Sequence, residues 1–438
     1  MKLLPVEEVD GTLCLTRDVT DPEFQRFKKY ARRVRTMTFD ATKPRLHESL
    51  RQRISQLSEG QVLLSSLHTV LLTVDKSYGH PLPLFFLSPS IKTLDISSHD
   101  YGVTAASDPY VAEVLDALVS SPLASRGMTT LIVSHLISDL SVIGTFKNLH
   151  TLSLGLLHIS AQAGLFHQLP GMTSLESISF TLPFTDEFDL GDAPVQAIVL
   201  PSLRRLKVRG PFAKIVRAIR LMSAPKLEAL DVPTTQTGTF ECVEFFRLVK
   251  TRYGRSLRDI SFTCWFDSLP DDSITPIFHL ILPLLGLVEL RRVVVGFGLP
   301  GDASFQLSDE DCESMLTAWR HIETLQLRYP NPIAPHPTWR TLVECAKCPS
   351  LKDLRLAIDP TSFPAGQDIP SSHSPLTCLS IYSDVLLESA PQMAYFLNRL
   401  FPELKSVDMV GEVGVYEWRV VNECLEVITQ VRQEVSTK

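Results

Sequence analysis

Pro201-Ser202-Leu203-Arg204-Arg205-Leu206-Lys207-Val208 decides how this chain is read. The stretch has the form P-x-L-x-x-L-x-V, and it returns at Pro225-Lys226-Leu227-Glu228-Ala229-Leu230-Asp231-Val232. Further copies begin at Pro349, at Pro402 and, with Ile for the first Leu, at Pro89. Looser copies without the proline open at Val34, Leu67, Met128, Leu149, Leu175, Leu257, Leu287, Ile322 and Leu376. The second and third apolar positions are two apart, which is strand spacing. Leu206 and Val208 therefore point to one face, and Arg205, Lys207 and Arg209 to the other. A proline ahead of the phrase lacks an N–H and ends a preceding helix.

The fourteen openings between Val34 and Leu404 step by about 28 residues on average, inside the 20–29 expected of leucine-rich repeats. Individual steps are uneven, from about 21 (Met128 to Leu149) to about 37 (Ile91 to Met128). One such strand cannot bury its face alone, but stacked neighbours share a continuous core. The expected fold is α/β: a leucine-rich-repeat solenoid, or horseshoe, with parallel strands on the concave face and helices on the convex face. One domain is expected over 1–438, with 1–33 as an N-terminal capping segment and 416–438 as a C-terminal capping helix. The 438 residues exceed what one globular core usually holds, and a stack growing in one direction escapes that limit.

Helices are legible between the phrases. Phe24, Phe27 and Tyr30 recur at helical spacing behind Pro22. Single apolar stripes mark 46–57, 110–119, 213–222, 240–253, 308–319 and 390–400. Ser308 reads as an N-cap, with Asp309, Glu310 and Asp311 favoured by the helix dipole. In the last helix, Val420, Cys424, Val427, Ile428, Val431 and Val435 form the face expected to close the core. The segments 181–197 and 359–374 lack periodicity and read as surface loops.

Composition sets the outer bounds. Hydrophobic residues make up 44% and charged residues 21%, a folded rather than a disordered balance. The net charge of −7 gives no general reason to expect nucleic acid or an anionic membrane. The first residues lack a secretory apolar run, and the longest apolar run, 277–290, is short of the ~20 residues of a membrane span. An intracellular protein with reduced thiols, cytoplasmic or nuclear, is expected.

The sequence carries no catalytic motif set, and no cofactor or metal is expected. Gly296-Phe297-Gly298-Leu299-Pro300-Gly301 matches G-x-G-x-x-G, but Pro300 interrupts it and no helix signal appears before Ser308, so it reads as a loop. Cys345-Ala346-Lys347-Cys348 lacks the second pair of ligands that zinc requires and closes a helix instead of opening one. No H-E-x-x-H, G-x-S-x-G or Walker loop is present. An enzyme is not expected. The basic residues of 23–53, Arg26 to Arg53, read either as a solvated helical face or as the footprint of an acidic partner.

The outward strand positions carry the functional expectation. Through Thr181 they are mainly Thr and Ser; then Arg205, Lys207 and Arg209 arrive together. Asp231, Asp259, Glu289, Arg291, Arg328, Asp353, Arg355 and Tyr382 follow. A partner-binding face is expected from Arg205, Lys207, Arg209, Asp231, Asp259, Arg291, Arg328 and Arg355. The alternating row on one strand suits an acidic or phosphorylated protein segment.

The N-terminal stretch resembles the region just after the F-box in fungal, mushroom-type F-box/leucine-rich-repeat proteins. The residues that carry the resemblance are Leu3-Leu4-Pro5, Asp10-Gly11-Thr12-Leu13, Leu15-Thr16-Arg17, Phe24-Gln25-Arg26-Phe27 and Tyr30 to Arg35, followed by the repeats themselves. The resemblance implies a substrate receptor of an SCF-type ubiquitin ligase, in which the repeats hold the target and the F-box binds a Skp-family adaptor. No F-box pattern precedes Leu3, so adaptor binding is expected only if an F-box is supplied upstream. The alternative is a ligase-independent repeat protein that regulates another protein.

Overall fold

The structure, a computed structural model, describes residues 3–40, 45–59, 61–74, 88–98, 108–120, 126–134, 140–157, 159–184, 197–266, 274–298, 304–329, 336–359, 372–382, 387, 389–409 and 415–436. The two segments read as loops therefore lie mostly outside the described residues. The chain divides into two compact units, Met1–Ala224 and Pro225–Lys438.

Every phrase becomes a strand, seven in each unit. In the first unit these are β1 (Thr36–Asp40), β2 (Thr69–Val74), β3 (Thr93–Ser98), β4 (Thr130–Val133), β5 (Thr151–Leu156), β6 (Ser177–Thr181) and β7 (Arg205–Arg209). They pair in chain order, all parallel. In the second unit β8 (Ala229–Thr237), β9 (Asp259–Phe266), β10 (Arg292–Gly298), β11 (Thr324–Arg328), β12 (Asp353–Ala357), β13 (Cys378–Tyr382) and β14 (Ser406–Met409) do the same.

A repeated backbone hydrogen bond sets the register. One carbonyl just ahead of a strand accepts two successive N–H groups from the next repeat. The Glu176 carbonyl takes those of Arg204 and Arg205 at 2.8 and 3.0 Å, and the Arg258 carbonyl those of Arg291 and Arg292 at 2.7 and 3.1 Å. With register fixed, alternation decides burial. Leu206 and Leu230 are each 1% exposed, and Val208 and Val232 are fully buried. Burying each leucine contributes roughly 1.5–3 kcal/mol.

Helices cover this buried face. Phe166 of the helix Ile159–Gln168 meets Phe180 of β6 edge-on at 6.0 Å between centroids. Phe245 and Phe246 of the helix Thr239–Tyr253 meet Phe262 of β9 at 5.3 and 4.9 Å. The alternate positions of β4, β6, β7, β9 and β11 stay partly or fully exposed. Parallel sheets are commonly buried on both faces. Here one side faces solvent.

Residues around the N-terminal hairpin build a small core of their own. Val6–Val9 and Thr12–Leu15 form a hairpin turned by Asp10 and Gly11, both at positive φ (48° and 70°), the geometry of a two-residue turn. Val19, Phe24, Leu50, Ile54 and Leu63 are buried beneath it. The helix Asp21–Ala31 opens with a capping box between Thr20 and Glu23 and has Pro22 in its first turn. Ser308 caps Asp309–Ala318 in the same way, accepting from the Asp311 N–H at 3.1 Å.

Three expectations need correction. At β10 the phrase opens at Leu290, not Leu287: Leu290, Val293 and Val295 take its inward positions, although Val294 is buried as well. Leu287 is also buried, but it follows the 3₁₀ turn Leu282–Gly286. Of the stretch read as a loop, Gly296 and Gly298 lie in β10, and 299–301 lie outside the described residues. In the last helix, Val415–Ser436, the core takes Trp418, Val421 and Leu425, while Val427 and Val431 are 58% and 55% exposed. Asn422 on that helix covers the edge of β14: its Oδ1 accepts from the Val407 N–H at 2.7 Å and its Nδ2 donates to the Val407 carbonyl at 3.0 Å. A side-chain amide thus occupies hydrogen-bonding groups that an edge strand would otherwise leave open.

Candidate functional site

On the solvent-facing side of the first unit, strand register turns scattered hydroxyl residues into rows. Thr36, Thr69, Thr93, Thr130, Thr151 and Ser177 are successive partners, and the row ends at Arg205. The next row runs Thr38, Leu71, Asp95, Ile132, Ser153, Ser179 and ends at Lys207. Thr181 pairs with Arg209. The three basic residues thus share one strand face, with Arg205 and Arg209 exposed. Asp95 interrupts the hydroxyl field between two apolar neighbours, and burial raises its pKa above the ordinary carboxylate value.

In the second unit the corresponding side mixes charged residues of both signs with polar and apolar ones. One row reads Ala229, Asp259, Arg292, Thr324, Asp353, Cys378, Ser406; the next reads Asp231, Ser261, Val294, Gln326, Arg355, Ser380, Asp408. Asp231, Asp259, Arg328 and Arg355 therefore occupy the strand face where the spacing placed them. Arg291 does not: it precedes β10, pairs with Glu323 at 3.7 Å, and leaves its expected row position to Arg292. Glu289 likewise lies ahead of the strand. Burial raises the Asp259 pKa, and Arg292 opposes that shift.

Further along the same face, the Arg328 guanidinium donates to Gln326 Oε1, and Gln326 Nε2 donates to Asp353 at 2.7 Å. Arg355 donates to the Tyr382 hydroxyl and lies over its ring, 4.9 Å from the centroid. Burial, then the neighbouring Arg355, push the Arg328 pKa down. Trp265, 50% exposed, closes the same side of β9. The L-x-x-L-x-L phrase stops short of Trp265. The alternation of Asp259, Ser261, Thr263 and Trp265 against Ile260, Phe262, Cys264 and Phe266 was the signal that could have found it.

Other candidate features offer less. A cleft of about 410 Å³ lies by the N-terminal hairpin, lined among others by Leu3, Pro5, Thr16, Arg17, Glu23 and Arg26. Its Arg17 and Glu23 already satisfy each other at 2.5 Å. All eight cysteines are free thiols, and burial pushes the Cys345 thiol well above its ordinary value, away from the reactive thiolate. Among the described residues no group of His, Cys, Asp and Glu is placed to hold a metal ion, and no helix is long and apolar enough to cross a membrane. No protein-family model and no curated protein matches the chain.

Proposed function

We propose that this chain is a non-enzymatic protein-recognition scaffold, a leucine-rich-repeat solenoid serving as the target-binding region of an F-box-like ubiquitin-ligase receptor. The carrying observation is the solvent-facing side of the parallel strands. It is a ladder of paired parallel strands whose side chains on this side are mostly polar or charged and at least partly exposed. Binding groups mounted on strands are held more sharply than groups on loops. Arg205, Lys207 and Arg209, at alternate positions about 6.6–6.8 Å apart, suit consecutive acidic side chains or phosphates. The ligase assignment leans on the resemblance of residues 3–35, and a Skp-family adaptor binds only through an F-box supplied upstream.

The test is site-specific photo-cross-linking in cells, with the reactive group placed at Ser179 or Ser261 on the strand face, or at Arg220 on a helix. A target captured from the strand positions and not from Arg220 supports the scaffold. Capture from Arg220 alone refutes it. Once a target is in hand, its half-life separates the two roles. Shortening when this protein is overproduced supports a ligase receptor, and an unchanged half-life favours the ligase-independent regulator.

A further inference from the structure

A patch of different construction from the β7 row lies on the solvent-facing side of the second unit. Five successive strands, β9 to β13, supply it: Trp265, then Gly296 and Gly298, then Arg328, Arg355 and Tyr382. We propose that this patch binds an extended acidic segment of a protein partner, with carboxylate side chains on Arg328 and Arg355 and an apolar side chain on the Trp265 indole. The proposal rests on the recognition role proposed above and names the site and the chemistry of its partner.

Charge is the first argument. The side-chain hydrogen bonds of both guanidiniums go to neutral oxygens, Arg328 to the Gln326 amide and Arg355 to the Tyr382 hydroxyl. Neither forms a direct ion pair among the described residues; Asp353 acts on Arg328 without touching it, its Oδ2 accepting from Gln326 Nε2. Other cations of this unit do form ion pairs: Arg291 and Lys352 both with Glu323, Lys347 with Glu344, and Arg247 with Glu244. Residues 326 and 355 are register partners, so Arg328, two positions beyond Gln326, is the diagonal neighbour of Arg355 on the adjacent strand, about 7–8 Å away at the backbone. Two cations held side by side with neutral partners make a ready seat for anions, and Arg engages a carboxylate through two parallel hydrogen bonds.

Shape is the second argument. Gly298 and Trp265 are register partners. A Cβ at Gly298 would fall 2.3 Å from Trp265 Cε3 and 2.5 Å from Cδ2, so the indole rests on the bare backbone of β10. A half-exposed indole already held in place gives up little freedom on binding. Trp, Tyr and Arg are also the side chains that dominate interface energetics. From β9 to β13 the patch spans four strand intervals, about 19 Å, the reach of an extended segment of about six residues.

The experiment is a selection of random twelve-residue peptides displayed on phage against the full chain, followed by anisotropy titration of the enriched peptides. The expected result is enrichment of peptides with Asp or Glu flanking an apolar residue. Their affinity should drop more than tenfold in Arg328→Gln and Arg355→Gln, drop in Trp265→Ala, and weaken steeply between 0.05 and 0.5 M salt. Unaltered melting curves would show that the variants are folded. Peptides that bind both arginine variants as well as the wild type would overturn this patch while leaving the scaffold role standing, because they then engage another surface. A selection that enriches no acidic sequence also overturns it, and cross-linking from Ser179 or Ser261 still judges the scaffold separately. If phosphoserine in place of the acidic residue tightens binding more than tenfold, the assignment to carboxylates fails in favour of phosphate.

Discussion

Asp95 sits where a carboxylate is poorly served. Its register partners are Leu71 and Ile132, and its Oδ1 is buried with no hydrogen-bond partner. Burial raises its folded-state pKa, so ionisation costs stability above that value and costs nothing once the pH falls below the ordinary carboxylate range near 4. Asp95→Asn is expected to raise the melting temperature at pH 7, with the gain fading toward pH 4; a gain independent of pH would show that charge is not the cause. Glu23 has the opposite sign. The hydrogen bond from Arg17, with those from Thr20, holds its pKa at about 2 instead of 4.5, so its contribution is full above 4.5 and is lost as the pH falls toward 2. Glu23→Gln should therefore lower the melting temperature at pH 6 and converge with the wild type near pH 2. Gly298 works by absence: Gly298→Ala is expected to displace the Trp265 indole and, in a Trp339→Phe background, to increase acrylamide quenching of tryptophan fluorescence, since Trp319 and Trp418 are buried while Trp339 is partly exposed. Glycine here reflects close approach within a strand, which a motif match to G-x-G-x-x-G does not convey.

The strands were legible because the phrase is local: two apolar positions two apart, closed ahead by Pro or a turn, specify both the strand and its buried face. The slip at β10 has the same origin. Leu287, Leu290 and Val293 are spaced three apart, and only Val295, two beyond Val293, fixes which of them opens the strand. The last helix was less legible because it carries two apolar stripes, Trp418/Val421/Leu425 and Val420/Cys424/Val427/Ile428/Val431, the second of which is half-buried at Val420, Cys424 and Ile428. Valine count favoured the second, but an indole and a leucine bury more apolar area, so the first faces the core. Val431→Glu is accordingly expected to shift stability by no more than about 0.5 kcal/mol. Asn422→Ala should cost about 1–3 kcal/mol in denaturant melts, because it leaves both polar groups of Val407 without their partner. A loss from Val431→Glu that exceeded the loss from Asn422→Ala would reverse the assignment of the two faces.

At the scale of the molecule, each unit repeats one transaction, a strand burying its inner residues against its neighbours and its own helix. What the sequence withheld follows from that division of labour. Inner positions are dictated by packing and obey a period, whereas packing leaves the solvent-facing positions largely unspecified. Arg205, Lys207 and Arg209 could be placed on a face but not weighed, and Trp265 lay beyond the phrase altogether. Stability in such a stack is approximately a sum of repeat and nearest-neighbour terms. Leu206 is 1% exposed, so Leu206→Ala should cost about 2–5 kcal/mol once the cavity is included. The damage should be local: hydrogen exchange is expected to accelerate most in β6 and β7 and least in β1, five or more strands away along the first unit. Equal acceleration from β1 to β7 would show a unit that opens as one cooperative block. The solvent-facing side should answer to a different substitution. Charge reversal of the exposed Arg205 and Arg209 removes nothing from the core, so melting should stay within about 0.5 kcal/mol of the wild type. If the β7 row takes part in recognition, capture of the cross-linked target should fall in the same variant. Full capture by the reversed protein would leave those residues as solvated strand and place recognition elsewhere on the face.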